Sequence, residues 1–508
     1  MRWRLGNSQN LFHCALLPFL LVAQEADQAV PVPPVPARVP VRFPSVPARA
    51  VPSRFPGFTN SAALVRIKIK SMHPGKFCSL ALFAATAFAN WPQWRGPMFN
   101  GTAPSAKNLV TTWTDKDNVQ WRAKLPSWSA ATPIVWENTI FVTTGEEGFS
   151  GHTEDGRASR NGKADQHDKV FLLAINRKDG FTIWKRQIAE GNRLFRKHNL
   201  TSPSPITDGK HVWTMTGSGK FACFTFDGKP VWERDVIAEY GRIGINHGYA
   251  STPLLEGNRL YIEVIHGFTT DDPSYVFAVD KLTGKNVWKV LRPSPAKQES
   301  KDSYSTPQIA VVNGKRQLVI SGADIVTGHD LDTGKELWRI GGFNPGDNPA
   351  NRTIASSLVM GDKVFTPSTR GRPFIAFRAG GEGDITGKSE LWTNNLGADV
   401  PTSTTDGKYI YVVNDIGIIN CIEAETGKVV YSGNRIERGT YSSSPLLADG
   451  KIYCTNEEGT TTVIKAGPVF EVLGVSKLDS RTLASPVAVG EQIFIRTADY
   501  LYCIGKKK

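Results

Sequence analysis

From Thr132 to the C-terminus the chain states one pattern eight times: a small hydroxyl residue, usually followed by proline, starts an apolar run that turns at a glycine-containing corner. The openers are Thr132-Pro133, Ser204-Pro205, Thr252-Pro253, Thr306-Pro307, Ser356-Ser357, Thr402-Ser403, Ser444-Pro445 and Ser485-Pro486. Each unit closes on an aromatic, and the closers are Trp121, Trp184, Trp232, Trp288, Trp338, Trp392, Tyr431 and Phe470. The first closer precedes the first opener and the last opener has no closer. The unit is therefore circularly permuted, and the strand carrying Trp121 is expected to complete the unit begun at Ser485-Pro486. Repeats of about 40 to 55 residues with room for four short strands are the signature of a propeller. The chain reads as all-β: an eight-bladed β-propeller closed by pairing of its N- and C-terminal strands.

Within a unit, Ser444 to Tyr453 (SPLLADGKIY) gives an apolar run, an Asp449-Gly450 corner and alternating residues, a hairpin of the two inner strands. The outer half is clearest in AVDKLTGKNVW, Ala278 to Trp288, and GHDLDTGKELW, Gly328 to Trp338. A tryptophan at a fixed place in successive units wants a large apolar contact, and in a ring the neighbouring blade supplies it. Trp121, Trp184, Trp232, Trp288, Trp338 and Trp392 are accordingly expected to be structural docking residues. Cys223, Cys421 and Cys503 fall where the repeat elsewhere places something small, and Cys454 is also in the repeats; with no CxxC pair they read as buried small residues, and no metal site is expected.

Of the net charge of +13, residues 1–89 supply +8, so the basic balance belongs mostly to the leader. No basic stripe interleaved with aromatics occurs in the repeats, and nucleic acid is not expected as a partner. Residues 31–56 hold nine prolines, and residues 1–71 read as a solvated leader or an over-extended start. Residues 72–89, with Lys76 before an apolar run and Ala87-Phe88-Ala89 at its end, read as a signal peptide. The alternative is a true N-terminal extension, with Leu11 to Ala23 as the export signal. Either way the protein is expected to be exported, periplasmic or extracellular, with a single propeller over residues 90–508 starting at Asn90. Neither apolar run reaches the roughly 20 residues that span a bilayer.

The A-x-D-x-x-T-G-K-x-x-W pattern resembles the tryptophan-docking motif of pyrroloquinoline quinone (PQQ) repeat propellers. WPQWRGP (Trp91 to Pro97), GTTTVIKAGPVFEVL (Gly459 to Leu473) and RTLASP (Arg481 to Pro486) are similar to segments of the secreted PQQ-binding-like propellers common in planctomycetes and related bacteria. The resemblance covers about Asn90 to Lys508. Quinoprotein alcohol dehydrogenases and the outer-membrane assembly scaffold BamB share the general repeat. The resemblance makes PQQ and calcium the cofactors to consider, yet the adjacent cysteine pair of the dehydrogenases is missing, and neither their calcium ligands nor their catalytic Asp map onto this chain. A BamB-like lipobox is missing as well.

Segments leading into the innermost strands rim a propeller's channel, so function is expected at that mouth. Those segments supply the ligand-binding candidates Asn199, His247, Tyr304, Arg352, Asp399, Tyr441 and Arg481. Arginines pair with carboxylate, phosphate or quinone oxygens, tyrosines stack on rings, and Asp399 offers a base or cation ligand. Residues 145–168 form a polar insertion that reads as a solvated loop. No Walker loop, Rossmann fingerprint, GxSxG or HExxH motif occurs. These observations favour a secreted or periplasmic non-catalytic platform for a small ligand, glycan or envelope protein. A PQQ- and calcium-dependent alcohol or sugar dehydrogenase and a BamB-like assembly scaffold remain the alternatives.

Overall fold

The computed structural model of the chain describes residues 90–147, 169–195 and 197–507; the proline-rich leader, the signal-like stretch and residues 148–168 of the polar insertion lie outside the described residues. Eight sheets of four or five strands follow one another in the order of the sequence repeats, forming the expected eight-bladed propeller. Their innermost strands are Ile134–Trp136, Ile206–Thr207, Leu254–Glu256, Gln308–Val312, Leu358–Met360, Thr404–Thr405, Leu446–Ala448 and Val487–Val489, which number blades 1 to 8.

Blade 3 shows why each strand takes its place. Its middle strands, Arg259–Val264 and Tyr275–Asp280, are buried almost throughout, because both faces of a blade pack on neighbours. Such strands need continuous apolar runs. The outermost strand, Asn286–Leu291, alternates with solvent and buries chiefly Trp288. Between the third and fourth strands, Asp280 accepts hydrogen bonds from the N–H groups of Leu282 (3.1 Å) and Thr283 (2.8 Å) and from the Thr283 hydroxyl (2.9 Å). Gly284 then takes a φ of +68°, which a side chain would disfavour. The ladder slips by one residue at Ala278/Val279, and this bulge sets Trp288 opposite Ala278. The same small-for-large pairing recurs as Ala174 with Trp184, Cys223 with Trp232, Ala376 with Trp392, Cys421 with Tyr431 and Cys503 with Trp121. Cys223, Cys421, Cys454 and Cys503 are free and buried.

Five of the six tryptophans dock on the turn glycine of the next blade. Trp288 lies over Gly334 of blade 4 and donates its indole N–H to the Leu331 carbonyl at 3.0 Å. Trp121, Trp184, Trp232 and Trp392 repeat this with Gly180, Gly228, Gly284 and Gly427 and the carbonyls of Arg177, Phe226, Lys281 and Ala424. Trp338 meets the next blade by a different contact. Its indole covers Gly328 of its own blade, donates to Gln317 Oε1 at 2.7 Å and meets the Phe377 ring of blade 5 edge-on with centroids 5.9 Å apart, while Gly387, the turn glycine of blade 5, stands open. The cause is a longer loop: residues Gly383–Asp384 fold back as a fifth, parallel strand on Glu336–Ile340, occupying the edge from which Trp338 would reach across.

Ring closure follows the permutation. Strand Val119–Lys124 pairs antiparallel with Tyr500–Ile504, with Trp121 opposite Cys503, and completes blade 8. Two otherwise exposed edges vanish.

Candidate functional site

The openers form a closed girdle. The backbone N–H of Thr132 donates to the Ser204 hydroxyl, Ser204 to Thr252, Thr252 to Thr306, Thr306 to Ser356, Ser356 to Thr402, Thr402 to Ser444, Ser444 to Ser485 and Ser485 back to Thr132, at 2.9 to 3.2 Å. This explains why the hydroxyl persists in every unit while proline is replaced by serine in Ser356-Ser357 and Thr402-Ser403. Each hydroxyl oxygen accepts one bond, and none of the eight O–H groups donates to a protein acceptor among the described residues. Seven of the eight girdle residues line one cavity of about 300 Å³ on the propeller axis.

The segment that begins the described chain floors this cavity. Trp91 bridges Val135 of blade 1, and the Pro92 carbonyl accepts from Thr207 of blade 2. On the opposite side of the ring, Asn100 O accepts from the Thr404 hydroxyl of blade 6, and Thr102–Ala103 pairs with blade 7. Between these anchors Arg95 is buried and donates to the carbonyls of Ser403 (2.7 Å), Pro445 (3.1 Å) and Asn100 (3.2 Å). Among the described residues no carboxylate faces it, and burial pulls its guanidinium down to about 9. Trp94, beside it, lines the cavity. The channel is thus a blind cup.

A two-stranded ribbon, Leu194–Phe195 with His198–Asn199, brings Phe195, Lys197 and His198 to the rim. Phe195 stacks on His198, and His247 on Tyr304, with ring centroids 6.2 and 6.3 Å apart. The Tyr304 hydroxyl accepts the His247 N–H at 3.1 Å. Glu299 Oε1 lies 3.4 Å from His247 Nε2 and 3.5 Å from Arg352 Nη1. Behind Tyr304, Asp302 accepts from the N–H groups of Asn246 and Phe268, and burial pushes its carboxyl up to about 6. Burial lowers the His198 imidazole to about 4 and keeps it neutral near pH 7. Lys197 pairs with Glu457 at 2.7 Å. Neither Glu299 nor Glu457 lines the cup, whose wall, among the described residues, carries Lys197 and Arg352 and no carboxylate.

Of the expected site residues, His247, Tyr304 and Arg352 meet in the cup. Arg481 instead lies over the Trp128 ring at 5.7 Å. Asn199 is buried and consumed locally, donating to the Trp128 carbonyl and accepting from Thr201. Tyr441 is buried with its hydroxyl on the Glu437 carbonyl at 2.7 Å. Asp399 lies in a separate groove and accepts the Arg370 N–H at 2.7 Å. Trp94, Phe195, Lys197 and the girdle were not singled out by the sequence as cup residues. Only the girdle left a readable mark, the hydroxyl shared by all eight openers.

A family model described as "Outer membrane protein assembly factor BamB" matches residues 166–433 and 383–501. Among curated proteins, the quinohemoprotein alcohol dehydrogenase ADH-IIG of Pseudomonas putida is 30% identical over 247 residues, covering 44% of this chain and 31% of the dehydrogenase. The tetrathionate hydrolase of Acidithiobacillus ferrooxidans is 22% identical over 357 residues, covering 64% of this chain and 62% of the hydrolase. The chain therefore spans less than two thirds of either relative. A solved europium-containing methanol dehydrogenase superposes with a TM-score of 0.61 at 10% identity, over 84% of this chain and 100% of that one, a likeness of fold.

The residues present do not supply the calcium site that the resemblance brings into question. Among the described residues the cup wall has no carboxylate to hold a divalent cation, and no group of three His, Cys, Asp or Glu converges. The four described cysteines are committed to blade interiors, where burial raises their thiols to about 12 or above.

Proposed function

Because the chain belongs to the BamB-type family of PQQ-like repeat propellers, we propose that it is an exported, non-catalytic propeller that binds a small ligand in its axial cup. One observation carries this reading: the Trp91–Thr102 crossing, anchored by buried Arg95, converts a through-channel into a blind cavity of ligand size. About 300 Å³ with mainly apolar walls and a few convergent polar groups is the usual form of a small-molecule site. A propeller needs the girdle, but a girdle can be built without Lys197, His198, His247 and Arg352 around it. Export is supported by the signal-like residues 72–89, with Asn90 as the mature N-terminus.

The test against a dehydrogenase is reconstitution with PQQ and calcium, followed by dye-linked oxidation of alcohols and sugars. This reading expects no turnover above the cofactor blank; saturable turnover lost with Arg352→Ala would overturn it. N-terminal sequencing of exported protein tests the second element. A mature end upstream of Met72 would refute the assigned signal.

A further inference from the structure

We propose that the ribbon of Leu194–Phe195 and His198–Asn199 is a strap across the mouth of the cup, latched by Lys197 to Glu457 and released to let a ligand in or out. The inference rests on the reading of the cup as a ligand site and adds how that site is gated. Its first support is reach. The ribbon leaves the chain between blades 1 and 2, and among the described residues it is the one sheet that belongs to no blade. Its contacts lie on opposite sides of the ring. Phe195 sits against Gly248, in the segment entering blade 3, so closely that a Cβ there would stand 2.6 Å from its ring. Lys197 Nζ lies 2.7 Å from Glu457 Oε1, in the turn between the second and third strands of blade 7. Blades 3 and 7 face each other across the axis, and Phe195, Lys197 and His198 line the cup that opens between them.

The second support is the contrast between base and tip. At the base, buried Asn192 accepts the Leu200 N–H at 3.1 Å, Asn199 donates to the Trp128 carbonyl at 3.0 Å, and the Leu200 carbonyl accepts the Gly217 N–H at 2.8 Å. The base is pinned. At the tip, among the described residues, no backbone group of Arg193, Leu194, Phe195, Lys197 or His198 is hydrogen-bonded to a blade. What holds it is the Phe195 ring, the contact of His198 Nδ1 with Ser202 Oγ at 3.1 Å, and one ion pair in which Lys197 is 54% exposed. Exposed ion pairs hold weakly and exchange readily with water and salt. The anchor is firm by comparison: the Glu457 N–H donates to the Thr440 carbonyl at 2.7 Å, its carbonyl accepts the Thr482 N–H at 3.0 Å, and its Oε1 also accepts the Ser442 hydroxyl. A fixed base, a fixed anchor and a weakly held tip between them are the parts of a gate.

The test places a thiol in the cup with Ala130→Cys, a lining position, in the full-length protein. Its reaction with N-ethylmaleimide, a small neutral reagent, is followed at that cysteine by peptide mass spectrometry. Adding Lys197→Gln should speed labelling about two- to fivefold, the shift that loss of an exposed ion pair allows. Phe195→Ala should speed it about tenfold, because the ring contact is lost as well. In about 0.5 M NaCl the Ala130→Cys protein should react as fast as the Lys197→Gln variant, which should itself ignore the salt. Cys223, Cys421, Cys454 and Cys503 are buried and should stay unlabelled throughout, which reports intact blades. Equal rates in the three backgrounds, fast or slow, overturn the strap and leave the cup as a ligand site. A cup found empty in protein isolated from its own host removes the ligand reading instead, whatever the labelling rates.

Discussion

Replacing Trp288 by alanine should couple, across the gap between blades 3 and 4, to replacing Gly334 by alanine. The indole of Trp288 is 9% exposed. About 200 Å² of ring at ~25 cal/mol/Å² gives an upper figure of about 5 kcal/mol. Its hydrogen bond to Leu331 adds about 1 kcal/mol, and relaxation around the void brings the expected loss for Trp288→Ala to about 3 to 5 kcal/mol. Gly334→Ala has two costs of different origin. One is the left-handed backbone at φ +75°, about 1 kcal/mol whatever surrounds it. The other is the new methyl, placed 2.5 Å from the Trp288 ring, about 1 to 3 kcal/mol. Only the second disappears when the indole is gone. Denaturant titrations of the four proteins in the cycle should therefore show the double variant about 1 to 3 kcal/mol more stable than additivity predicts. Additivity within about 0.5 kcal/mol would refute inter-blade docking as the origin of the repeated tryptophan.

Trp338→Ala should destabilise at least as much, by about 3 to 5 kcal/mol, yet show no coupling to Gly387→Ala; a coupling above about 1 kcal/mol in denaturant titration would contradict the own-blade contact with Gly328. Deleting residues 90–124 removes both the floor of the cup and the strand that completes blade 8, so size-exclusion chromatography should find aggregates; a monomer with cooperative unfolding would contradict the closure. His329 is fully buried between Thr327 Oγ1 and the Gly334 carbonyl, and burial, with Arg292 nearby, lowers its imidazole to about 4. Its folded value lies below the unfolded one, so the associated stability is complete above about pH 6.5 and is lost as the pH falls towards 4, at up to about 1.4 kcal/mol per pH unit. His329→Gln should flatten that slope, and an unchanged slope in pH-dependent unfolding would assign it elsewhere. Arg352→Ala should shift stability by less than about 1 kcal/mol, its ion pair with Glu299 being partly exposed; a loss as large as that of Trp288→Ala in the same denaturant titration would make the arginine structural.

The blades were legible because each is specified locally. An opener, a glycine corner, an Asp-x-x-Thr-Gly turn and an aromatic are all visible within one unit, and the missing halves at Trp121 and Ser485 predict the closing pair. What decides Trp338 is not local. The pattern around it matches that of Trp288, and only the excursion to Gly383–Asp384 turns its ring inward. The cup was legible in part for a related reason. Reading every residue upstream of an opener as a rim residue places His247, Tyr304 and Arg352 correctly, but side chains in those segments alternate between the axis and the blade interfaces. Tyr441 and Asn199 fall on the buried side and find backbone partners there. Trp94 reaches the axis through a crossing from blade 2 to blade 6, a long-range event that no repeat unit encodes. The hydroxyl of the opener was visible eight times, and its role emerges only when eight units close into a ring.

The most direct test of the cup as the working site is a crystal structure of the protein purified from its own host, at a resolution that separates ordered water from a bound molecule. The account predicts one organic molecule above Trp94, its oxygens within hydrogen-bond distance of girdle hydroxyls and Arg352. A cup holding ordered water alone, with the bound molecule or partner seated on the outer strands of the blades, would contradict it.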